Sequence, residues 1–358
     1  MSDVIVAPHT RDLDRLAEKL RGWVSARMPA ARDLGIVDLA YPRGAGQSHE
    51  TVLFDIVWTE DGVARRQGCV VRIRPASFTV FPDTLFEEQY RVMQVLGEGG
   101  LVKVAKVLWF EEDPALLGQP FFVMEKKQGR VPVSIPHYSQ TGFLAEATPA
   151  QRRRLWEGAV RQLAAIQRVP LDSVSFLAGP AHAPRGLAQE WDKYERFVAW
   201  LRREDPASGA RFGPVLEAGL ARLKAAWPAH QPEGLVWGDA RIGNMMFDER
   251  FDVVAVMDWE QPSLGGALHD LAWFSELSES MHGRRANPAV GRYLEGMGTR
   301  EETVALWEEV SGKSAAGLDW YEDFARLKMS CTGVRLGQLR GGNFPMDETA
   351  LARRLKLA

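Results

Sequence analysis

The sequence predicts an α+β protein whose first part, residues 1–128, is rich in strands and whose second part, residues 129–358, is mostly helical. Short runs of alternating apolar residues between turn residues dominate the first part, which is typical of strands. Apolar residues at three- to four-residue spacing dominate the second part, which is typical of amphipathic helices. The pattern changes near Gly129 without a linker-like segment, which indicates two lobes in direct succession.

Composition excludes several classes of function. The 358 residues include 44 basic and 47 acidic side chains, so a net charge of −3 indicates neither nucleic acid nor an anionic membrane as a partner. Cys69 and Cys331 stand too far from other Cys or His residues to predict a disulfide framework or a zinc site. The N-terminal segment lacks a signal-peptide pattern, and no window approaches the roughly 18 apolar residues of a membrane helix. We therefore expect a soluble, cytoplasmic protein, while nothing in the sequence indicates its oligomeric state.

The first part is predicted to contain, in order, a helix, two strands, a helix and two strands. Apolar residues from Leu13 to Val24 recur with helical spacing, and Thr10 is the expected cap. A glycine-rich turn leads into the alternating run Val52 to Trp58, which predicts the first strand. The remaining elements are predicted in "GCVVRIRP" (strand), "DTLFEEQYRVMQVLGEGG" (helix), "VKVAKVLWFEED" (strand) and "GQPFFVMEKKQG" (strand).

The second part is predicted to contain long helices and one small two-stranded element. Its strands are the apolar runs Met245 to Phe247 and Val253 to Met257, which the short turn "DERFD" joins. The helices are predicted at residues 150–168, 187–203, 213–227, 265–281, 301–310 and 320–339.

Three oxygen-bearing side chains flank the two-stranded element. Asp239 and Asn244 lie on the segment that leads into the first strand, and Asp258 follows the second strand. Because a hairpin brings these two ends together, we expect the three side chains to converge. One carboxylate can orient an acceptor hydroxyl while an Asn oxygen and a second carboxylate hold Mg²⁺ against nucleotide phosphates. Asp and Asn in loops are more often turn residues, but this order of Asp, Asn and Asp is that of protein kinases.

The chain resembles the aminoglycoside phosphotransferase and choline kinase-like family. The resemblance rests on "LVWGDARIGNMMFD", "VAVMDWEQPSLGGALHDLAWF", "GAGQSHETVLFDI" and "KVLWFEEDPALLGQPFFVMEKKQGRVP", and it spans residues 10–340. More narrowly, these stretches resemble the bacterial branch related to kinase domains fused to some acyl-CoA dehydrogenases. The resemblance implies a protein kinase-like bilobal fold, with a nucleotide-binding first lobe, a catalytic loop and acceptor site in the second, and ATP in the cleft.

The resemblance also implies a role for each carboxylate near the two-stranded element. Asp239 matches the catalytic aspartate, Asn244 the magnesium-binding asparagine, and Asp258 the aspartate that bridges metal and phosphates. Glu260 could reach the metal or order acceptor groups, and a surface carboxylate after a strand is the alternative. Asp270 is expected to tie the catalytic loop to the following helix, and an ordinary helix carboxylate is the alternative.

Three positions depart from the common pattern of the family. Trp237 and Gln167 stand where His is usual, and Gly266 stands where Asp is frequent. An indole cannot hydrogen-bond through two ring nitrogens as imidazole does, so we expect Trp237 to brace the catalytic loop by packing.

The nucleotide loop is expected in "GAGQSHET". There Gly44 and Gly46 would let the backbone approach phosphates, and Ser48 would add a hydroxyl. A glycine-containing hairpin without a ligand is the alternative.

Further nucleotide contacts are expected from a cation, a helix carboxylate and a backbone segment. Arg72 occupies the position of the phosphate-binding lysine of protein kinases, and Arg74 is its competitor. Glu87, with Glu88 as runner-up, is expected to orient that cation. The backbone of the three residues Met124, Glu125 and Lys126 is expected to contact adenine.

The predicted activity is an ATP- and magnesium-dependent small-molecule kinase with a hydroxyl acceptor. An aminoglycoside-like polycation is the favoured acceptor, and a hydroxyacyl-CoA, which needs basic groups, is the alternative. The third interpretation is a non-catalytic nucleotide-binding pseudokinase or regulator. The unusual residues Trp237, Gly266 and Arg72 motivate this interpretation, whereas the intact catalytic set argues against it. A polycation would need an acidic pocket, for which the candidates are Asp192, Glu195, Glu276 and Glu279.

Overall fold

The computed structural model describes residues 11–42, 50–75, 79–134, 137–284, 286 and 291–358. The predicted nucleotide-loop residues Gly44, Gly46 and Ser48, and the expected cap Thr10, lie outside these residues. The chain divides into two compact units, of which the first comprises Met1–Thr79 and Val104–Gln128. The second comprises Val80–Lys103 and Gly129–Ala358, so the segment before Val104 groups with the helical residues that follow Gly129.

The described part of the first unit contains one helix and a five-stranded antiparallel sheet. The sheet has the order β1-β2-β3-β5-β4 and carries a core of Val, Ile and Phe side chains. The helix is α1 (Leu13–Ser25), and the strands are β1 (Arg32–Ala40), β2 (Glu50–Glu60), β3 (Val63–Ile73), β4 (Val107–Glu111) and β5 (Phe121–Glu125).

Helix α1 begins one residue after Asp12, whose side chain accepts hydrogen bonds from the backbone N–H groups of Asp14 and Arg15. A carboxylate in this position satisfies donors that have no partner within the helix. The cap is therefore Asp12. The apolar side of α1, with Leu20 fully buried, packs against the strand core.

Strands β2 and β3 form a hairpin whose two-residue loop consists of Asp61 and Gly62. Both loop residues have positive φ, 51° and 74°, which matches the twist of the flanking strands. The predicted strands and their turn are present, and Glu60 pairs with Val63.

The second unit is mostly helical and contains one two-stranded antiparallel sheet. It carries β6 (Met245–Phe247) and β7 (Val253–Val256), so the α+β prediction is confirmed. Its helices are α2 (Phe86–Gly99), α3 (Phe143–Glu146), α4 (Pro149–Ile166), α5 (Leu187–Glu204), α6 (Pro206–Ala225), α7 (Leu268–Met281), α8 (Arg300–Ser311), α9 (Leu318–Leu339) and α10 (Glu348–Arg354).

Helix α7 is the element that positions the site, because it packs in the middle of the second unit. It lies against α8 and α9, and the first eight residues of the helix, from Leu268 to Ser275, are all buried. In the described ranges, no helix is both long enough and apolar enough to cross a membrane.

Candidate active site

The two-stranded sheet brings Asn244 and Asp258 to the same end. Met245 pairs with Val256, and the next step of the ladder is a 2.8 Å hydrogen bond from the Met257 N–H to the Asn244 carbonyl oxygen. Asp258 follows directly and has a φ of 61°, a left-handed conformation that turns the chain sharply out of the strand. The short hairpin therefore brings the backbone positions of Asn244 and Asp258 to one end of the sheet, and convergence of their side chains on a metal stays a prediction.

The carboxylate of Asp239 receives hydrogen bonds from three side chains. Asn244 Nδ2 and Arg241 Nε lie 2.7 Å and 2.9 Å from Oδ2, while Trp273 Nε1 lies 3.0 Å from Oδ1. The Asp239 side chain is 28% exposed, so it is held firmly yet remains accessible. A carboxylate oriented in this way can accept the proton of a hydroxyl group.

Asp270 connects helix α7 to the segment before Asp239. Its two carboxylate oxygens accept hydrogen bonds from the backbone N–H groups of Trp237, at 2.6 Å, and Gly238, at 2.9 Å. Burial raises the pKa of the Asp270 carboxyl to about 6, against the opposing effect of these two donors. Asp270 thus holds the backbone of the catalytic loop from the helix side.

Trp237 braces the same loop through a hydrogen bond as well as by packing. Its indole is fully buried, packs against Trp259, and donates from Nε1 to the carbonyl oxygen of Met257 at 2.8 Å. The expectation of bracing by packing alone is therefore incomplete, since the indole also bonds to the residue that precedes Asp258.

The other two departures from the family pattern also have a local structural reason. Gly266 has a φ of 123°, and a Cβ atom there would lie 3.1 Å from the Pro232 carbonyl oxygen, so the turn favours glycine over Asp. Gln167 is buried and donates from Nε2 to the Leu235 carbonyl oxygen at 2.9 Å. Gln167 therefore supplies a hydrogen bond to the segment that precedes Asp239.

The donor atoms near the hairpin fit a hard cation. Asn244 donates from its amide nitrogen to Asp239, so the amide oxygen is the atom that could contact a metal ion. Asp258 adds a carboxylate. Oxygen atoms of this kind are the ligands that Mg²⁺ prefers, together with substrate phosphates. Over the described residues, no group of three or more His, Cys, Asp or Glu side chains gathers around a common point. A magnesium ion at Asn244 and Asp258 would thus depend on phosphate or water oxygens to complete its ligand set.

Arg72 and the segment Met124 to Lys126 lie on neighbouring strands of the first unit. Arg72 is half-buried on β3, opposite Thr51 of β2 and Phe122 of β5. The segment's N–H groups of Glu125 and Lys126 donate to the carbonyl oxygens of Lys106 and Gly68, both at 2.9 Å. Contact of this segment with adenine would therefore use other backbone groups, and its role stays a prediction.

The Lys126 side chain forms an ion pair with Asp55 of β2. The hydrogen bond from Lys126 holds the pKa of the Asp55 carboxyl below its ordinary value, and Arg66 adds to this effect. The ammonium group of Lys126 is thereby committed to the sheet.

Glu87 and Glu260 are the remaining predicted site residues, and both belong to the second unit. Glu87 lies in the first turn of α2 with a carboxylate oxygen 3.8 Å from Arg91 Nη1. Glu260 lies two residues beyond Asp258 and is partly buried. Their assigned roles at phosphates and metal stay predictions.

Sequence reasoning did not identify Arg241 and Trp273. Arg241 lies only two residues after Asp239 and also donates to the Ser134 hydroxyl at 2.9 Å, so its position beside the predicted catalytic residue was an available signal. Trp273 follows Asp239 by 34 residues, and its contact with Asp239 becomes visible only in the fold. Its spacing of one helical turn from Asp270 was the one local signal.

Two of the four acidic residues suggested for a polycation are already neutralised. Asp192 forms an ion pair with Arg196 at 2.9 Å and a hydrogen bond with the His182 ring at 2.8 Å. Glu276 is bound by Arg326 through both carboxylate oxygens. These carboxylates would have to exchange partners to bind a cationic ligand.

Comparisons with known proteins point to one family. The model of a family described as phosphotransferase enzymes matches residues 42–310. Among curated relatives, mouse (Mus musculus) acyl-CoA dehydrogenase family member 10 is 28% identical over 65% of this chain and 21% of its own length. Human (Homo sapiens) acyl-CoA dehydrogenase family member 11 is 24% identical over 80% of this chain and 36% of its own length. The chain thus spans well under half the length of these relatives.

Solved structures share the fold over nearly the whole chain. An aminoglycoside phosphotransferase-like protein from Ralstonia eutropha JMP134 has a TM-score of 0.62 at 22% identity, covering 95% of this chain and 94% of that one. Aminoglycoside phosphotransferase APH(4)-Ia, as a thermostable mutant with ADP and hygromycin B, has a TM-score of 0.52 at 14% identity, covering 94% and 97%. At these identities the likeness concerns the fold, which is that of protein kinase-like phosphotransferases.

Proposed function

Because the chain belongs to the phosphotransferase enzyme family, whose members are small-molecule kinases, we propose that it transfers the γ-phosphoryl group of ATP to the hydroxyl of a hydroxyacyl-CoA. The observation that carries the kinase part is the convergence of Asp239, Asn244 and the loop anchors at one end of the β6–β7 hairpin. Nucleotide-bound relatives of the same fold support ATP as the donor.

In the proposed reaction, Asp239 accepts the proton of the acceptor hydroxyl. The hydroxyl oxygen then forms the bond to the γ-phosphorus, and the bond from that phosphorus to the bridging oxygen breaks, so that ADP leaves with the electron pair. Asn244 and Asp258 would hold magnesium, which, when bound, neutralises charge on the phosphates. Arg241, 2.9 Å from Asp239, adds a permanent positive charge beside the reacting groups.

The charges around Asp239 support an anionic acceptor over a polycation. The charged side chain that contacts Asp239 is the cation Arg241, whereas Asp192 and Glu276 are engaged in ion pairs. An aminoglycoside carries several ammonium groups, which Asp192 and Glu276 could bind only by releasing their arginine partners, whereas an acyl-CoA requires no such exchange. The acyl-CoA dehydrogenase relatives support the same acceptor class.

An acceptor panel tests this proposal. The wild-type protein is incubated with MgATP and, separately, with hydroxyacyl-CoAs that differ in hydroxyl position, an aminoglycoside, a macrolide and choline, and products are identified by mass spectrometry. We expect a phosphorylated hydroxyacyl-CoA. Asp239→Ala should lower its rate of formation by about 100- to 10,000-fold, because the general base is lost.

The matched control is Glu249→Ala, which removes a carboxylate that is 86% exposed in the hairpin turn. It should retain the wild-type rate. Wild-type turnover by Asp239→Ala would contradict the catalytic assignment, and phosphorylation of the aminoglycoside alone would contradict the acceptor. Nucleotide binding without transfer to any acceptor would favour the regulator over the kinase.

A further inference from the structure

We propose that Trp273 is a positioning residue for phosphoryl transfer, because its indole N–H fixes the Asp239 carboxylate in the orientation that receives the acceptor proton. This inference rests on the proposed function, since it concerns the same reaction. Through Trp273, helix α7 would contact the catalytic side chain directly. The contact is the 3.0 Å hydrogen bond from Trp273 Nε1 to Asp239 Oδ1.

The bond matters because the terminal torsion of an Asp side chain is intrinsically soft. Carboxylate rotation about the Cβ–Cγ bond has a broad energy profile, so the orientation must be set by neighbouring groups. Oδ2 of Asp239 accepts from Asn244 and Arg241, and Oδ1 accepts from Trp273. Donors on both oxygens hold the carboxylate from two sides, and without the indole only Oδ2 would be anchored by these side chains.

Helix α7 supplies both this bond and the backbone anchor. Asp270 and Trp273 are three residues apart, so they lie on one side of the helix, one turn from each other. Asp270 binds the N–H groups of Trp237 and Gly238, and Trp273 binds the side chain of the next residue, Asp239. One rigid helix thus fixes the catalytic residue at its backbone and at its carboxylate.

The Trp273 ring is itself held in place. Its side chain is buried, and Lys328 Nζ lies 5.9 Å from the ring centroid while forming a 2.8 Å ion pair with Glu190.

Burial alone does not account for the hydrogen bond. Trp191 and Trp307 are also buried in the second unit, and their Nε1 atoms have no hydrogen-bond partner among the described residues. This fold therefore accommodates a buried indole without satisfying its N–H. The N–H of Trp273 instead contacts the carboxylate that the proposed reaction requires.

Comparison of Trp273→Phe with Trp307→Phe tests the inference. Both changes shorten a buried aromatic side chain, but only the first removes a hydrogen bond to Asp239. With MgATP and the acceptor identified by the panel, Trp273→Phe should lower kcat by about 10- to 100-fold, while KM for ATP changes by less than about threefold. Trp307→Phe should keep kcat within about threefold of wild type. Equal kcat in Trp273→Phe and wild type, or equal losses in both variants, would overturn the inference.

A second measurement is independent of activity. In ¹⁵N-labelled protein, the indole N–H resonance of Trp273, identified by its loss in Trp273→Phe, should be downfield and slow to exchange. In Asp239→Ala it should move upfield and exchange faster, whereas the Trp307 resonance should stay unchanged. An unchanged Trp273 resonance in Asp239→Ala would refute the hydrogen bond. Absence of phosphoryl transfer by the wild-type protein would instead refute the proposed function, and the resonance comparison would still decide whether the Trp273 indole holds the Asp239 carboxylate.

Discussion

Asp270 anchors the loop before Asp239, but burial of its carboxylate lowers the free energy of unfolding near neutral pH. It is almost completely inaccessible, yet its ionised form is the one that best accepts the two loop N–H groups. Burial raises the pKa of Asp270 from 3.8 to about 6, so the folded protein binds this proton more tightly than the unfolded chain does. Near neutral pH the carboxylate is ionised, and folding opposes that ionisation.

A pH-dependent stability difference is therefore expected between the wild-type protein and Asp270→Asn. A raised folded-state pKa contributes stability that is fully present below 3.8 and is lost as pH rises through about 6. The free energy of unfolding of the wild type, minus that of the variant, should fall by up to about 3 kcal/mol between pH 3.5 and pH 7. Urea denaturation at a series of pH values measures this difference.

The subtraction cancels the groups whose titration the substitution leaves unchanged. A difference that stays constant from pH 3.5 to pH 7, or that rises, would contradict the assigned protonation behaviour of Asp270.

The sequence could identify the residues of the site that belong to an ordered local pattern. Asp239, Asn244 and Asp258 are close along the chain, and a short hairpin is enough to bring their positions together. Trp273 could not be identified in this way, because its contact with Asp239 depends on how α7 packs against the loop. No periodic pattern in the sequence predicts such a contact.

In the turn before α7, the backbone geometry favours glycine at position 266. Gly266 donates from its N–H to the Gly234 carbonyl oxygen at 3.2 Å and has a φ of 123°. Ala267 then donates to Pro232, so the turn is closed by two backbone bonds immediately before Asp270 enters the helix. The frequent family Asp at Gly266 would be strained here.

Gly266→Ala should lower the free energy of unfolding by about 1 to 3 kcal/mol, because alanine disfavours this φ and its Cβ would crowd the Pro232 oxygen. Chemical denaturation measures the change. Gly22→Ala is the matched control in the interior of α1, where a Cβ would meet nothing within 4 Å. It should instead stabilise by about 0.5 to 1 kcal/mol. A stable Gly266→Ala variant would show that the turn tolerates other backbone angles.

The elements that the sequence did not predict have identifiable physical causes. Strand β1 is partly exposed at the sheet edge, has irregular register, and contains Asp33 and Asp38 with positive φ, so it lacks clean alternation. Helix α6 starts at Pro206, seven residues before the predicted start at 213, because Asp205 caps it and Pro214 is tolerated within it. Regular amphipathic helices such as α4, with its capping box at Thr148, could be predicted from the sequence because the local capping and spacing patterns agree with the packing in the fold.

Among the described residues of the second unit, the least accessible ion pair links α5 to α9. Glu190 and Lys328 are 1% and 3% exposed, and Lys328 Nζ lies 2.8 Å from a Glu190 oxygen. Burial disfavours ionisation of Glu190, but the charge of Lys328 outweighs it and holds the pKa of Glu190 below its ordinary value. Ser263 donates to the other Glu190 oxygen at 2.5 Å, so the pair also reaches the segment that precedes α7.

Lys328→Met should destabilise the protein by about 3 to 5 kcal/mol, because it leaves the Glu190 charge buried without its main partner. Glu190→Gln combined with Lys328→Met should recover most of that loss, since the buried charge is then absent. Thermal and urea unfolding of the single and double variants measure the coupling. Equal stability of the two variants would mean that the charge of Glu190 is compensated elsewhere.

Met257, the residue before Asp258, has both its backbone N–H and its carbonyl oxygen engaged by the segment that carries Asp239. The Met257 N–H donates to the Asn244 carbonyl, and the Met257 carbonyl accepts from the Trp237 indole. In protein kinases, rearrangement of the corresponding DFG segment switches the enzyme between active and inactive states. Here such an outward swing would break two hydrogen bonds at once and unseat a buried tryptophan. The two hydrogen bonds of Met257 thus oppose such a rearrangement, and displacing Asp258 would require the Trp237 indole to give up its acceptor.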